Sequence, residues 1–82
     1  MKKVYYAVYD KTAEMFGTPF LEVKDGTAVR AVQDIVINSS DHAFAKHPKD
    51  FSLHRLGEYD DVSGEISGSS PKKLIEIDQL GE

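Results

Sequence analysis

Six consecutive residues, Val4-Tyr5-Tyr6-Ala7-Val8-Tyr9, set the first constraint on this chain. All but Ala7 are β-branched or aromatic, the run stops at Asp10, and such a run reads as a strand. Side chains alternate along a strand, so one face carries Val4, Tyr6 and Val8 and the other Tyr5, Ala7 and Tyr9. The aliphatic set is the better core face. A lone strand cannot bury it, so the rest of the chain has to supply a layer to pack against and strands to pair with.

Phe20-Leu21-Glu22-Val23 predicts a second, short strand, reached through a connection punctuated by Gly17-Thr18-Pro19. From Thr27 to Asn38 the period changes. Ala28, Val29, Val32, Ile35 and Val36 recur at spacings of three and four, which lines one face of a helix, and Asp25 or Thr27 offers an N-cap oxygen. A short helical turn is expected from Asp41 to Lys46, ending ahead of Pro48. Alternation resumes at Phe51-Ser52-Leu53-His54-Arg55-Leu56, but the step from Leu53 to Leu56 breaks the period of two. A bulge is therefore expected near Arg55 or Gly57. Asp60-Asp61-Val62-Ser63-Gly64 reads as a hairpin turn, and Glu65-Ile66-Ser67 as the return strand.

The order β-β-α-β-β predicts an α+β domain: a small antiparallel or mixed sheet of about four strands packed on one main helix. Eighty-two residues leave room for one core. Residues 1–67 are expected to form that single domain. Gly68-Ser69-Ser70-Pro71 reads as a spacer, residues 68–82 as a flexible acidic tail, and 73–77 as an optional last strand. There is no run of about 20 apolar residues, so no membrane span is expected, and Val4–Val8 is too short for a signal peptide. The absence of cysteine removes disulfides and thiol chemistry and suits a reducing compartment.

The net charge of −4 is unevenly spread. Residues 1–57 hold eight Lys/Arg against seven Asp/Glu, whereas residues 58–82 hold two against seven. The chain reads as a near-neutral body with an acidic last quarter.

No catalytic constellation is present. Ser39, Ser40 and His42 are neighbours but suit helix capping, and no Gly-rich phosphate loop exists, so no cofactor is expected. His42, His47 and His54 are spaced by five and seven, which puts no two of them on one helical turn, and no metal is expected. Asp60, Asp61, Ser63 and Glu65 lack the twelve-residue calcium pattern and are accounted for by the hairpin turn.

What stands out is aromatic and basic interleaving. Single-stranded nucleic acid is held by stacking bases on aromatic faces while Lys and Arg track the phosphates. With Val4, Tyr6 and Val8 turned inward, Tyr5 and Tyr9 lie on the outer face, flanked by Lys2, Lys3 and Lys11. Arg30, Lys46, His47 and Arg55 are the further candidates for backbone contacts, with Lys49 beside them. The alternative is that the tyrosines cover a second weak core or a dimer contact, and the bases are simply solvated.

Three blocks carry a family resemblance. They are Tyr6-Ala7-Val8-Tyr9-Asp10 followed by Pro19-Phe20; the segment from Asp25-Gly26-Thr27 to Asp34-Ile35-Val36; and Lys46-His47-Pro48-Lys49-Asp50-Phe51 running into Leu56-Gly57-Glu58-Tyr59-Asp60 and Ser63-Gly64. In this order they resemble the small non-structural protein of gokushovirus-type microviruses, phages with single-stranded DNA genomes. The resemblance implies a non-enzymatic accessory of genome replication in the cytoplasm of the bacterial host, associating with single-stranded DNA and influencing the switch to packaging. The small size suggests a homodimer, with Phe20–Val23 or Glu65–Ser67 as pairing edges.

Two functions are therefore expected of such a chain. One is a sequence-tolerant single-stranded DNA binder using Tyr5, Tyr9, Lys11, Arg30, Lys46, His47 and Arg55. The other is an interaction module whose acidic quarter meets a phage or host replication protein without touching DNA.

Overall fold

The computed structural model describes residues 1–80. The first strand, β1 (Lys2–Asp10), is flanked on one edge by β2 (Met15–Phe16) and β3 (Phe20–Glu22), which lie end to end along it. Helix α1 (Asp25–Asn38) and the single turn α2 (Ala43–Lys46) follow. A 3₁₀ turn at Pro48–Asp50 leads into β4 (Phe51–Asp60), and β5 (Ile66–Glu76) returns beside it before a second 3₁₀ turn at Ile77–Leu80. All pairings are antiparallel. β4 lies against the other edge of β1, and β5 lies outside β4. The α+β class and the single main helix agree with the expectation from sequence, and among the described residues the sheet has five strands. The extra one is β2, two residues hidden inside what reads as a loop.

The core sits between one sheet face and α1. Val4, Tyr6 and Val8 of β1 and Leu53 of β4 meet Ala28 and Val32 of α1. Tyr6 is fully buried, and its hydroxyl donates to Asp25 Oδ1 at 2.7 Å at the start of α1. Arg55 Nη1 donates to the same oxygen at 3.3 Å. Burial first, and then the Asp25 hydrogen bond, hold the Tyr6 phenol protonated far above its ordinary range. The cap of α1 differs from expectation. Lys24 is the N-cap residue, and Thr27 Oγ1 donates to its carbonyl at 2.8 Å, which leaves Asp25 free to face the sheet. His42 caps α2, its Nδ1 accepting from Phe44 N–H at 3.1 Å.

The domain boundary expected at residue 67 is corrected. Residues 66–76 form one strand, and the turn after it places Ile77 and Leu80 in the core at 0% and 3% exposure. Gly81 and Glu82 of the expected tail lie outside the described residues. Gly68-Ser69-Ser70-Pro71 is part of β5. Between the pairs Arg55–Lys72 and Gly57–Gly68, Ser69, Ser70 and Pro71 stand opposite Leu56 alone, and Ser69 Oγ donates to the Leu56 carbonyl at 3.2 Å. Proline is tolerated because β5 is an edge strand, where one backbone direction has no ladder partner.

The expected β4 bulge falls at Leu56, between the pairs Tyr6–Arg55 and Tyr5–Gly57. It reverses the parity of the strand. Leu53 and Arg55 face α1, whereas Gly57 and Tyr59 face away from it. Gly57 is required there. A Cβ at this position would meet the Ser67 carbonyl oxygen at 2.3 Å, so only glycine lets β5 run this close. At the hairpin tip Gly64 takes a φ of +80°, as its place in the turn predicts.

Candidate nucleic-acid interface

The sheet face turned away from α1 carries no covering layer among the described residues. Register determines what stands on it. One row across the strands reads Phe16, Tyr9, Ser52 and Glu76; the next, Ala7, His54 and Lys73. Toward the other end come Leu21, Tyr5, Gly57 and Gly68, and then Lys3, Tyr59 and Ile66. Two aromatic stations result. Tyr5 and Tyr59 meet edge-on with ring centroids 6.3 Å apart. Tyr9, Phe16 and His54 form a three-ring cluster with centroids 4.8 to 6.0 Å apart. Tyr5 and Tyr9 are half-buried rather than fully exposed, and lie roughly 13 Å apart along β1. Beside Tyr5, a shallow apolar recess of about 240 Å³ opens between Pro19, Leu56, Gly57, Ile66 and Gly68.

The basic candidates are divided by the fold. Lys11 follows Tyr9 past the end of β1 and reaches the open face, where it pairs with Glu76 and donates to the Lys49 carbonyl at 3.1 Å. Arg55 lies on the α1 side of the sheet, bound to Asp25 and, at 3.5 Å, to Glu58. Arg30 is exposed on α1. Lys46 and His47 are exposed on the α2 connection, which packs on the helix side through Phe44. The open face therefore collects Tyr5, Tyr9 and Lys11, while Arg30 and Arg55 belong to the opposite layer. Helical and strand periodicity cannot reveal this, because which layer a basic side chain joins depends on how the layers stack.

Four residues outside the sequence-derived set join the face: Phe16, His54, Tyr59 and Lys73. Tyr59 was reachable from sequence, because counting alternation through the expected bulge puts it on the side of Tyr5. Phe16 carried no such signal beside the Gly17-Thr18-Pro19 punctuation.

The acidic quarter does not stand apart from the body. The N-terminal amine binds Asp61 at 2.6 Å, Lys3 approaches Asp61 at 3.9 Å, and Lys2 approaches Glu58 at 3.9 Å. These pairs are exposed, and each is worth at most about 1 kcal/mol. They nevertheless set acids from the last quarter against the lysines of β1. Among the described residues no helix is long and apolar enough to cross a membrane, and no three His, Asp or Glu side chains gather as metal ligands.

His54 Nε2 lies 2.9 Å from Ser52 Oγ, while Nδ1 is buried without a partner. Burial, then Lys73 and, more weakly, Lys11 lower its pKa below the ordinary 6.5, with Glu76 opposing them. The unfolded chain takes up the proton first as pH falls. The stabilisation from neutral His54 is thus complete above about 6.5 and is lost as pH drops from there through the folded-state value. The urea midpoint of the wild-type protein should fall between pH 7.5 and 5.5, and His54→Gln should flatten that fall. Equal slopes in the two proteins would remove His54 as its cause.

A family model described as Phage ORF5 protein matches residues 3–80 of this chain. Comparison with curated proteins and with solved structures finds no match.

Proposed function

We propose, for a chain that belongs to the Phage ORF5 protein family, a non-enzymatic role in binding the phage's single-stranded DNA on the open sheet face. Within that proposal the phage is of the gokushovirus-like microvirus type, and the protein acts in the host cytoplasm during replication or the switch to packaging. One observation carries the reading: an uncovered sheet face with two aromatic stations, Tyr5–Tyr59 and Tyr9–Phe16–His54, bordered by Lys3, Lys11 and Lys73. Rings held by a rigid sheet stack on bases of any sequence, and ammonium groups beside them suit the phosphates. Two stations contact few nucleotides, so a homodimer that doubles them belongs to the same proposal. The interaction-module reading has less support, because Glu58 and Asp61 already face Lys2, Lys3, Arg55 and the N-terminus.

The test is fluorescence anisotropy with a labelled oligo-dT of about 12 nucleotides, within the range that single-strand binders cover. Binding should weaken linearly in log K against log salt, with a slope of about −0.7 per phosphate contacted. No binding at low salt would end this reading.

A further inference from the structure

Two lysines far apart in the chain meet on one carboxylate. Lys11, just past β1, donates to Glu76 Oε1, and Lys73 of β5 donates to Glu76 Oε2 at 2.7 Å. Each carboxylate oxygen thus takes one ammonium. The two hydrogen bonds hold the Glu76 carboxyl below its ordinary range. The arrangement stands on the open face, in the row that runs from Phe16 through Tyr9 and Ser52 to Glu76. Two strand spacings, roughly 10 Å, separate it from the Tyr9 backbone. Lys73 pairs directly across from His54, whose ring touches those of Tyr9 and Phe16.

Two ammonium groups bridged by an anion with one charge and two free oxygens are equally matched to a phosphodiester, which has one charge and two non-bridging oxygens. We propose that Lys11 and Lys73 form a site for a backbone phosphodiester of single-stranded DNA, which Glu76 fills in the free protein. This rests on the reading that the open face binds single strands. Binding exchanges one anion for another: the Glu76 side chain swings out to solvent and a phosphate takes its place. Because Glu76 is tethered beside the lysines, it competes at a high effective concentration, and a small free anion displaces it poorly. A strand anchored by its bases on Tyr9 and Phe16 brings its own phosphate to the site at a comparable effective concentration. The lysines are thereby reserved for an anion that arrives with stacking bases.

Glu76→Gln removes the competing charge and keeps the side-chain shape. Oligo-dT should bind this variant about 5–10-fold more tightly at low salt, with a steeper slope of log K against log salt. In the wild type, opening the Lys–Glu76 pairs grows easier as salt screens them, which offsets part of the salt-driven loss. The double variant Glu76→Gln/Lys73→Gln should lose that added slope. A purely structural role for Glu76 moves stability but does not steepen a salt slope. If Glu76→Gln fails to fold, Lys73→Gln alone decides: a shallower slope supports the site, and an unchanged slope overturns it. Wild-type affinity and slope in a folded Glu76→Gln, alongside weakened binding by Tyr9→Ala, overturn the site and leave the DNA-binding reading standing. Absence of oligo-dT binding by both wild type and Glu76→Gln overturns the reading itself. Displacement of oligo-dT by inorganic phosphate at constant ionic strength, at concentrations matching the nucleotide phosphate, overturns the assignment to a strand backbone.

Discussion

A chain ended at Gly68 is expected to have no cooperative unfolding transition. Such a chain loses the half of β5 that pairs with Ser52–Arg55, together with the turn that buries Ile77 and Leu80 beneath α1. Deleting one large buried aliphatic side chain costs about 2–5 kcal/mol, and two of them go at once. A domain of this size has a total stability toward the low end of about 5–15 kcal/mol. The sheet also loses the strand that covers β4, whose backbone would then present an open edge. Ile77→Ala in the full chain isolates the packing part and should cost about 2–5 kcal/mol in urea unfolding. A cooperative urea transition in the 1–68 chain would show that the segment after Gly68 is dispensable. The same truncation is therefore unsuitable for asking whether the acidic segment competes with DNA, because it would remove the fold along with the charge. Single substitutions such as Glu76→Gln are needed for that question.

Tyr9→Ala should weaken oligo-dT binding by about 1–3 kcal/mol, a factor of roughly 5 to 150, and Tyr5→Ala should do the same independently. The two stations share no ring contact, so the losses should add when both are changed. Neither tyrosine packs against α1, so the cost to stability should be well below that of replacing the buried Tyr6. Tyr9→Phe keeps the ring and should retain most of the affinity. Folded Tyr5→Ala and Tyr9→Ala proteins that bind oligo-dT as the wild type does would show that bases do not stack on this face. Arg30→Gln is the matched control. It lies on α1, away from the stations, and should leave the affinity within a factor of two or so if the open face carries the contacts.

Much of this fold is legible along the chain because local periodicity decides it. Val4, Tyr6 and Val8 turn inward as alternation requires, and α1 runs where the three-and-four spacing puts it. The β4 bulge falls at Leu56, between Arg55 and Gly57, the two positions near which the break in period places it. From sequence Gly68–Pro71 reads as a spacer because glycine, serine and proline mark both spacers and bulged edge strands. What separates the two is pairing with Leu56 and Gly57, a contact more than ten positions back. Site residues were harder. Tyr5, Tyr9 and Lys11 follow from the parity of β1 alone, whereas Arg55 follows the parity of β4 to the helix side and is held there by Asp25. The charge imbalance along the chain is a related case. The β1 lysines and the acids of β4 and its hairpin turn are distant in sequence and adjacent in the sheet, so summing charge by segment hides that they neutralise one another.

The two margins of the sheet also bear on how this protein behaves when crowded. On one side β2 and β3 lie end to end along β1, and Gly17 N–H closes the gap between them by donating to the Val8 carbonyl at 2.8 Å. On the other, the Ser69–Pro71 bulge interrupts β5, and Lys72 and Lys73 charge the stretch that follows. Neither margin offers a long, flat, uncharged ladder to a neighbouring chain, and such ladders are what seed strand-by-strand aggregation. An aromatic face can therefore stay uncovered while the route to fibrils through the margins is obstructed on both sides.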